Sequence, residues 1–505
     1  MNQHLFAPAL LLSALLSVAC AGSGPARGQT PRPATPAAAD RPNILFIISD
    51  DLTASALSCY GNRQCQTPNI DRLAAEGTRF TRAYCQFPVC GPSRAAIMSG
   101  MYAQAIGVTS NGASSKFAAN MGKRPSMSQH FIQNGYYAAR VSKIYHMRVP
   151  GDITAGVDGP DHGASWTERF NCKAPEWMSK GEHQHLTNEK LKRDPDKHYG
   201  LGFGGAFYVV KTSTDGSEQP DQMAADKAIE ILSRKHDKPF FLAVGLVRPH
   251  VPLVAPQDFF APYPSESMKL MPRIDNDWDD IPRPGISKNA RSIGLAGQPA
   301  KQKKVLSAYY ASVAYMDAQV GRILKALQEQ GLRDKTIVVF CSDHGYHLGE
   351  HDFWQKMSTH EQSTRIPLII AAPGGAPAVS DSLVEQIDIY PTLSQMAGLP
   401  IPPHCQGRSL VPILADPTHT VRQAAYTLRG RDHVLRTDRW AFIKYRDGSE
   451  ELYDMKRDPG QFTNLAKPNQ RRTIELFMGG LNRKLEAIRV EGPSPPVQFD
   501  FSVPQ

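Results

Sequence analysis

Ionisable side chains stand at or just beyond the ends of four apolar runs in the sequence. The runs are NILFIIS, AARVSKIYH, FFLAVGLVRP and TIVVFCS, and their composition is typical of strands buried in a parallel sheet. Ligands of open α/β sheets bind in the crevice beyond the carboxyl ends of the strands, so these side chains are expected to meet at one edge. The candidates are Asp50, Asp51, Lys143, His146, His250, Asp343 and His344.

Three of the candidates, Asp50, Asp51 and Asp343, are carboxylates. An aspartate after a strand is most often a helix N-cap or a turn residue, and each one alone would be interpreted in that way. Their coincidence at one edge of the sheet instead favours a metal site. Carboxylate oxygens are hard ligands, which suit Ca²⁺ or Mg²⁺ better than a transition metal.

The segment DHGYHLGEH offers a rival metal site, in which His344, His347 and His351 would bind zinc. The spacing of these histidines matches no zinc motif. We therefore predict that His347 and His351 are surface residues or lie on the substrate side of the site.

The segment CGPSRAAIMSG places Cys90 two residues before Pro92. Proline is favoured in the first turn of a helix, so a helix is predicted to begin here with Cys90 at its amino end. Free N–H groups and the helix dipole stabilise an anion at such a position, and Arg94 adds a fixed charge that can hold an oxyanion. The residues alone leave two other roles open for Cys90: a buried structural thiol and an activated thiolate nucleophile.

The stretch CGPSR resembles the C-x-P-S-R signature of type I sulfatases, in which a maturation enzyme converts the cysteine to formylglycine. The segments NILFIISDD and SDHGYHLGEHDFWQK support the resemblance, which extends from about Arg41 to the C-terminus. Within this family the sequence is most similar to iduronate-2-sulfatases, through Asp343-His344, the segment RPHVPL and GYHLGEH leading to Lys356. The match of SKIYH is looser, because Ser142 replaces the usual glycine.

The resemblance implies a mechanism as well as a fold. The formylglycine hydrate formed from Cys90 would attack sulfur, with Arg94 steadying the hydrate and Lys143, His250 and Lys356 binding the sulfate oxygens. His250 or Lys356 would protonate the leaving alcohol, and His146 would take a proton from the second hydroxyl to expel sulfate. A divalent cation, Ca²⁺ with Mg²⁺ as the alternative, would neutralise charge. Its implied ligands are Asp50, Asp51, the modified Cys90, Asp343 and His344.

The implied substrate is a sulfated sugar, with a 2-O-sulfated uronate or a related glycan as the expected class. Two alternatives stay open: a phosphoester or phosphonate hydrolase of the same superfamily, and a non-catalytic envelope protein that binds sulfated glycans. Cys90 favours the sulfatase, since phosphatases of this kind usually carry Ser or Thr as the nucleophile. Sugar selection is expected in Tyr346-His347, in the insertion Gly151–Gly202 or in the hairpin Arg429–Arg436, where Arg429 and Arg431 are interpreted as solvated charges.

Composition limits the class of protein. The chain has 505 residues, of which 41% are hydrophobic and 21% charged, so it has material for one large domain and a smaller one. A net charge of +9 over this length indicates at most an affinity for anionic substrates. No basic run with interleaved aromatic residues is present in the sequence, and no nucleic-acid partner is predicted.

Helical and strand-like segments alternate along most of the chain. TPNIDRLAAEG, ADKAIEILSRK and VLSAYYASVAYMDAQVGRILKALQEQ have helical spacing, and IPLIIAAP adds a further strand. The alternation predicts a doubly wound, mostly parallel sheet sandwiched by helices, and the resemblance implies the alkaline-phosphatase-like version of this α/β fold. Beyond about Thr420, short alternating segments around the turn RDGS predict a small antiparallel subdomain.

The beginning of the chain is typical of an exported protein. Residues 1–21 contain the apolar run Leu5–Val18 and are interpreted as a signal peptide, with a lipid anchor at Cys20 and simple secretion as equal alternatives. Residues 22–40 are rich in Pro, Ala and Gly and are predicted to be a disordered linker. A catalytic domain over 41–419 and a C-terminal subdomain over 420–505 follow. The expected location is a bacterial envelope, periplasmic or lipid-anchored, or the exterior; cysteine pairing stays open.

Overall fold

The structure, a computed structural model, describes residues 41–187, 206–287, 290, 292–466, 479–480 and 483. The predicted signal peptide with Cys20, the predicted linker and most of the chain beyond residue 466 lie outside these ranges. The domain boundaries therefore stay predictions. No helix in the described ranges has both the length and the apolar character of a bilayer span.

Strands and α-helices alternate over most of the described chain. The strands are β1 (Asn43–Ser49), β2 (Thr78–Tyr84), β3 (Tyr137–Ser142), β4 (Glu168–Phe170), β5 (Gly181–His185), β6 (Tyr208–Thr212), β7 (Phe240–Leu246), β8 (Leu253–Pro256), β9 (Thr336–Ser342), β10 (His347–Leu348), β11 (Trp354–Gln355), β12 (Arg365–Ala371), β13 (Ala378–Glu385), β14 (Ala424–Arg429), β15 (Asp432–Thr437), β16 (Trp440–Lys444) and β17 (Glu450–Asp454). The α-helices are α1 (Pro68–Glu76), α2 (Cys90–Ser99), α3 (Ala103–Ile106), α4 (Phe117–Met121), α5 (Met127–Gln133), α6 (Gly151–Ala155), α7 (Pro220–Leu232), α8 (Pro299–Glu329), α9 (Glu361–Thr364), α10 (Ile389–Met396) and α11 (Val411–Ala415).

An eight-stranded sheet in the order β13-β2-β12-β9-β1-β7-β3-β4 forms the centre of the fold. Strand β12 runs antiparallel to both of its neighbours, and the other pairs in this sheet are parallel. The run IPLIIAAP correctly predicted a buried strand but could not predict its direction, because buried strands of either direction are continuously apolar. The mostly parallel α/β fold is confirmed.

Strand β1 shows why the centre of the sheet is apolar along its whole length. It pairs with β7 on one side and with β9 on the other, so its backbone groups are satisfied within the sheet. Leu45 and Ile47 pack into the core on one face, and Ile44, Phe46 and Ile48 pack into the core on the other. Both faces are therefore covered, as the NILFIIS pattern predicted.

A four-stranded antiparallel sheet in the order β14-β15-β16-β17 lies in the C-terminal part of the chain. The predicted RDGS turn joins β16 to β17, where the Gly448 N–H donates to the Tyr445 carbonyl at 3.0 Å. The small C-terminal antiparallel sheet is thereby confirmed.

The predicted insertion Gly151–Gly202 contains regular secondary structure. Its residues 188–202 lie outside the described ranges, and the part before them contains α6, β4 and β5. Strand β4 extends the central sheet by pairing with β3, and β5 pairs with β6 in a three-stranded sheet. The part of the insertion that the structure describes is therefore built into two sheets of the fold.

Replacing Gly245 with alanine is expected to lower the apparent Tm, because the strands approach too closely here for a side chain. A Cβ at Gly245 would lie 2.0 Å from the backbone carbonyl oxygen of Lys143. Overpacking costs about 1–3 kcal/mol in folding free energy, and a collision with backbone cannot be relieved by a rotamer change. Thermal unfolding would measure the loss. Gly163→Ala is the matched control, since its nearest neighbour is an Arg169 nitrogen at 4.0 Å; equal Tm values for the two variants would contradict the prediction.

Candidate active site

The central strands β9, β1, β7 and β3 are neighbours, and their carboxyl ends lie in register. Ser49 of β1 is opposite Ser342 of β9 and Leu246 of β7, while Ser142 of β3 is opposite Gly245. The residues that follow these strand ends therefore share one edge of the sheet. Contacts there join Asp50 with Lys143, His250 with Asp51, and His344 with Asp343. The sequence-based prediction of one common edge holds for all of these residues.

Helix α2 brings Cys90 to this edge, and Cys90 is its first residue, as the CGPSR pattern predicted. Every residue of the helix is buried, so Cys90 is enclosed by the protein. Gly91 allows close packing against residues 111–114, which follow α3. A Cβ there would lie 2.2 Å from Ser114 Oγ, and the Gly91 N–H donates to Asn111 Oδ1 at 2.8 Å.

The Cys90 sulfur contacts three of the candidate residues. It lies 3.3 Å from His344 Nε2, 3.2 Å from Lys356 Nζ and 3.9 Å from Asp51 Oδ1. Burial raises the pKa of the Cys90 thiol above its usual range, and the attraction of Lys356 does not offset this. An unmodified Cys90 would therefore be a neutral thiol, which disfavours the activated thiolate that the residues alone left open.

Buried cations face the carboxylates of the site. Arg94 Nε donates to Asp343 at 2.9 Å and Nη2 to Asp50 at 3.4 Å, while Lys143 donates to the other oxygen of Asp50. Burial opposes ionisation of Asp50, but Lys143, His250 and Arg94 outweigh it and hold the pKa of this carboxyl well below its usual range. The carboxylate is thus kept charged in a buried site.

Arg94 connects the strand ends as well as the carboxylates. Its Nη1 donates to the carbonyl of Lys143 and, at 3.2 Å, to that of Ile144. The guanidinium is fully buried, and each of its nitrogens has a partner. These contacts favour a role in which Arg94 fixes the backbone and the two aspartates beside Cys90.

The site fits a divalent cation. Ligand atoms of Asp50, Cys90, Asp343 and His344 lie within 4.8 Å of one another, as do those of Asp51, Cys90 and His250. Oδ2 of Asp51 is buried and has no hydrogen-bond partner among the described residues. His344 Nδ1 donates to the Gly345 carbonyl at 2.9 Å, which leaves the Nε2 lone pair directed toward the carboxylates. An oxygen-rich donor set of this kind suits Ca²⁺ or Mg²⁺.

Asp51 adopts a backbone conformation that is uncommon for a residue other than glycine. Its φ is 62°, in the left-handed region. Hydrogen bonds hold this conformation: the Asp51 N–H donates to Asp343 Oδ1 at 3.2 Å, and the Tyr309 hydroxyl donates to the Asp51 carbonyl at 2.7 Å. Such strain persists where surrounding contacts determine it, and here it aims the carboxylate at Cys90.

Burial lowers the pKa of two histidines at the site, which favours their neutral form. Burial lowers the pKa of His250 to about 4; its Nδ1 donates to the Val251 carbonyl at 2.5 Å, and Nε2 lies 3.7 Å from Asp51. Burial and the nearby charge of Lys143 hold the pKa of His146 well below its usual range, and its buried Nδ1 has no partner among the described residues. A neutral histidine can accept a proton.

Some expectations for polar residues outside the site are wrong. The surface position expected for His347 and His351 is wrong, because both are buried, with exposed fractions of 0% and 2%. The alternative, that they lie on the substrate side of the site, stays a prediction. Neither belongs to a group of potential metal ligands in the described chain. Arg429 is not a solvated charge, because it donates to the carbonyls of Met357 and Pro284, both at 2.8 Å. Arg431 is exposed, as expected.

Sequence reasoning missed a residue that supports the site from a distant segment. Gln386 Nε2 donates to the carbonyls of Ser342 and Asp343, at 2.5 and 2.9 Å, and its Oε1 accepts from Ser93 at 2.7 Å. It thereby joins the start of α2 to the end of β9. A glutamine after a strand carries no signal for this role, and Ser93 within CGPSR was the available indication.

A buried ion pair also escaped prediction. Arg248 and Glu176 are fully buried and lie 2.6 Å apart, and Arg248 Nη1 donates to the carbonyls of His250 and Pro252, both at 3.1 Å. Glu176 comes from the predicted insertion, so that segment supports the loop that carries His250.

Replacing Arg248 with methionine is expected to lower the stability strongly, because it leaves Glu176 buried without a counter-charge. Breaking one side of such a pair costs about 3–5 kcal/mol of folding free energy, whereas replacing both sides with apolar residues is often neutral. Thermal unfolding of Arg248→Met, Glu176→Met and the double variant would measure this. The double variant should be more stable than Arg248→Met; a double variant less stable than both single variants would contradict the reasoning.

Comparison with known proteins agrees with the geometry. The sulfatase family model matches residues 42–399, and the model for N-sulphoglucosamine sulphohydrolase, C-terminal, matches residues 349–491. A sulfatase of Formosa agariphila is 33% identical over 437 residues, covering 85% of this chain and 83% of that protein. The iduronate 2-sulfatase of Homo sapiens is 32% identical over 407 residues, covering 72% and 70% of the two chains.

Solved structures extend the comparison to the fold. The phosphonate monoester hydrolase of Agrobacterium radiobacter has a TM-score of 0.70 and 24% identity, covering 89% of this chain and 96% of that one, which shows a shared fold. The family assignment rests on the sequence matches, which span most of the described chain. The chain belongs to the sulfatase family, and the protein is a sulfatase.

Proposed function

We propose that this sulfatase hydrolyses sulfate esters on a sulfated sugar, with a 2-O-sulfated uronate or a related glycan as the substrate. One observation carries the proposal: Cys90 begins a buried helix and lies within 4 Å of Asp51, His344 and Lys356. An anion-binding helix start, a cation site and a lysine thus converge on one side chain. The similarity to iduronate 2-sulfatase supports the substrate class.

Conversion of Cys90 to formylglycine by a maturation enzyme, followed by hydration, would supply the nucleophilic hydroxyl. Asp50, Asp51, Asp343, His344 and the modified residue would hold Ca²⁺ or Mg²⁺. Such a cation stabilises the negative charge that develops as the S–O bond breaks. The side chains around the sulfate group would bind its oxygens and transfer the protons.

Lys143, His250 and Lys356 would bind the sulfate oxygens, since all three contact the aspartates around Cys90. Donors fixed in a buried site stabilise a transition state more than donors in water do. Lys356 would give a proton to the leaving alcohol; His250, the alternative donor, could do so only after its Nε2 has taken up a proton, because its Nδ1 proton is held by the Val251 carbonyl. His146, held neutral by burial, would accept the proton whose removal lets sulfate leave.

The location and partners follow from the same proposal. Export from the cytoplasm would bring the protein to an envelope or exterior location where sulfated glycans are available. The predicted signal peptide over 1–21 and the alternatives at Cys20 remain part of this proposal, as do the domains 41–419 and 420–505. A maturation enzyme would be needed before or during export.

A phosphonate or phosphoester hydrolase is the second candidate, because the fold is shared with a phosphonate monoester hydrolase. The charge of the ester distinguishes the two: a sulfate monoester carries one negative charge, and a phosphate monoester carries two at neutral pH. A phosphonate monoester carries one charge, as a sulfate monoester does, so charge alone does not distinguish these two substrates.

The test is sulfate release, measured by ion chromatography, from a heparin-derived disaccharide with a terminal 2-O-sulfated uronate. The protein would be co-expressed with a formylglycine-generating enzyme, and a phenylphosphonate monoester would be tested in parallel. Sulfate release would support the proposal. Turnover of the phosphonate alone would overturn it in favour of the second candidate, and release from other sulfated glycans alone would reject this uronate. No turnover of any ester by converted protein would favour a glycan-binding role.

A further inference from the structure

Lys356 lies in a segment whose backbone is strained on both of its sides. Gln355 has a φ of 69° and Met357 a φ of 71°, both in the left-handed region. Non-glycine residues rarely adopt this region, and such conformations persist only where the surroundings determine them. The strain directs the Lys356 ammonium at Asp51 Oδ1, 2.5 Å away, and at the Cys90 sulfur, 3.2 Å away.

Arg429, the last residue of β14 in the C-terminal sheet, binds this segment directly. Its Nη1 donates to the Met357 carbonyl at 2.8 Å. Its Nη2 donates to the Pro284 carbonyl at 2.8 Å and to Asp432 at 2.7 Å. The guanidinium thus holds the peptide that follows Met357, one residue beyond Lys356, and Asp432 fixes the guanidinium.

A second set of contacts from the C-terminal sheet lies a few residues further along the chain. Glu451 of β17 is fully buried and accepts from His360 Nε2 at 2.9 Å, while the Tyr445 hydroxyl lies 3.0 Å from Thr359 Oγ1. Tyr445 and Tyr453 also donate to Glu451, at 2.5 and 2.6 Å. This network holds the chain between Met357 and α9 against the C-terminal sheet.

We propose that the C-terminal sheet positions Lys356 for sulfate binding, with Arg429 as the positioning residue. The inference rests on the proposed function, which assigns the Lys356 ammonium to the sulfate oxygens. It also gives a role to the buried network around Glu451, in whose hydrogen bonds no candidate metal ligand takes part. Arg429 acts through the backbone of Met357 and makes no contact with sulfate in this proposal.

Direct recognition of the sugar by Arg429 is the competing role, and the hairpin was expected to supply it. The contacts favour positioning instead, because both terminal nitrogens of Arg429 already bind carbonyl or carboxylate oxygens. The side chain is also only 16% exposed. Three of the five N–H donors of Arg429 are thus used within the protein, and the low exposure limits access of a sugar to the others.

Inorganic sulfate is the appropriate probe, since its binding requires no knowledge of the sugar. Its Kd would be measured by calorimetry on matured, metal-loaded protein for wild type, Arg429→Met, Lys356→Ala and the double variant. Lys356→Ala should weaken binding about 10- to 100-fold, as expected for loss of a charged hydrogen bond. Arg429→Met should weaken it about 3- to 10-fold, and the double variant should bind no more weakly than Lys356→Ala alone.

Matched variants separate positioning from charge and from folding. Arg431→Met removes an exposed arginine from the same turn and should leave the Kd unchanged. Arg429→Lys keeps the charge but cannot donate to the same set of carbonyls, so it should share the loss. Hydrogen exchange of residues 353–360 should become faster in Arg429→Met and stay unchanged in Arg431→Met.

Two results would overturn the inference, and they differ in what else they affect. If Lys356→Ala weakens sulfate binding and Arg429→Met adds its full effect to it, Arg429 does not act through Lys356, while the proposed function stands. If wild type binds no sulfate, or Lys356→Ala binds it as wild type does, the assignment of Lys356 in the proposed function fails as well. Melting temperatures of all variants would show that each one is folded.

Discussion

Replacing Cys90 with alanine is expected to abolish sulfate release while the protein stays folded. The side chain supplies the nucleophile after conversion, and loss of a catalytic nucleophile typically lowers kcat by about 10⁴-fold or more. The fold should tolerate the change because alanine is common in buried helices and removes only the sulfur. Sulfate release would be measured by ion chromatography, and the apparent Tm by thermal unfolding.

Replacing Cys90 with serine gives a more specific result. Serine keeps one hydroxyl that can attack sulfur, but the sulfated serine has no second hydroxyl through which sulfate can be eliminated. At most one turnover is therefore expected, with sulfate left on the protein and visible by mass spectrometry of the peptide. Cys65→Ala, in a buried core position away from the site, is the control and should keep full activity. Continuous turnover by the Cys90→Ser variant would contradict the formylglycine mechanism.

The position of the site was predictable because its signal is local in the sequence. NILFIIS and TIVVFCS are mostly apolar and are followed directly by Asp50 and Asp343. The same short stretch therefore predicts both the end of the strand and the polar residue that follows it. Parallel strands in register then bring these residues to one edge. The start of α2 at Cys90 was equally local, because Pro92 marks the first turn.

The contacts that support the site were not predictable, because they join segments far apart in the chain. Arg429 reaches Met357 across 72 residues, and Gln386 reaches Ser342 across 44. No pattern within either segment indicates its partner. The direction of β12 was not predictable for the same reason, since it depends on which strands become its neighbours.

Buried polar residues were the other source of error. His347 is polar and was therefore expected on the surface or on the substrate side of the site. In the structure it packs against the rings of Phe353, His351 and His360. Polar residue types are mostly exposed, so the sequence favours exposure for each of them singly. Burial here depends on the C-terminal sheet, where Glu451 satisfies His360 from a distant strand.

Replacing Asp51 with asparagine is expected to lower the affinity for Ca²⁺ and to lower sulfate release by about 10³-fold. The variant loses a charged oxygen ligand of the cation and the negative charge that faces Lys356 beside Cys90. Asp51 is the informative position: its Oδ2 is buried with no hydrogen-bond partner in the described chain, and its Oδ1 lies 3.3 Å from His344 Nε2. Asparagine has nearly the same shape, so the effect isolates the charge. Bound metal would be measured by elemental analysis after dialysis against Ca²⁺.

Removal of the cation from the wild-type protein should have the same effect reversibly. Dialysis against a chelator is expected to abolish activity and to lower the apparent Tm, and added Ca²⁺ should restore both, since a ligand at about 100 times its Kd adds about 2.7 kcal/mol to the folding free energy. Asp317→Asn is the buried control: it loses part of the cap at the start of α1 but should keep the rise in Tm with Ca²⁺. Full activity after chelation would show that Asp50, Asp343 and His344 serve the reaction without a metal, and that the lysines and Arg94 alone neutralise the carboxylates beside Cys90. Equal Ca²⁺ binding by Asp51→Asn and wild type would instead show that the Asp51 carboxylate is not a ligand of the cation.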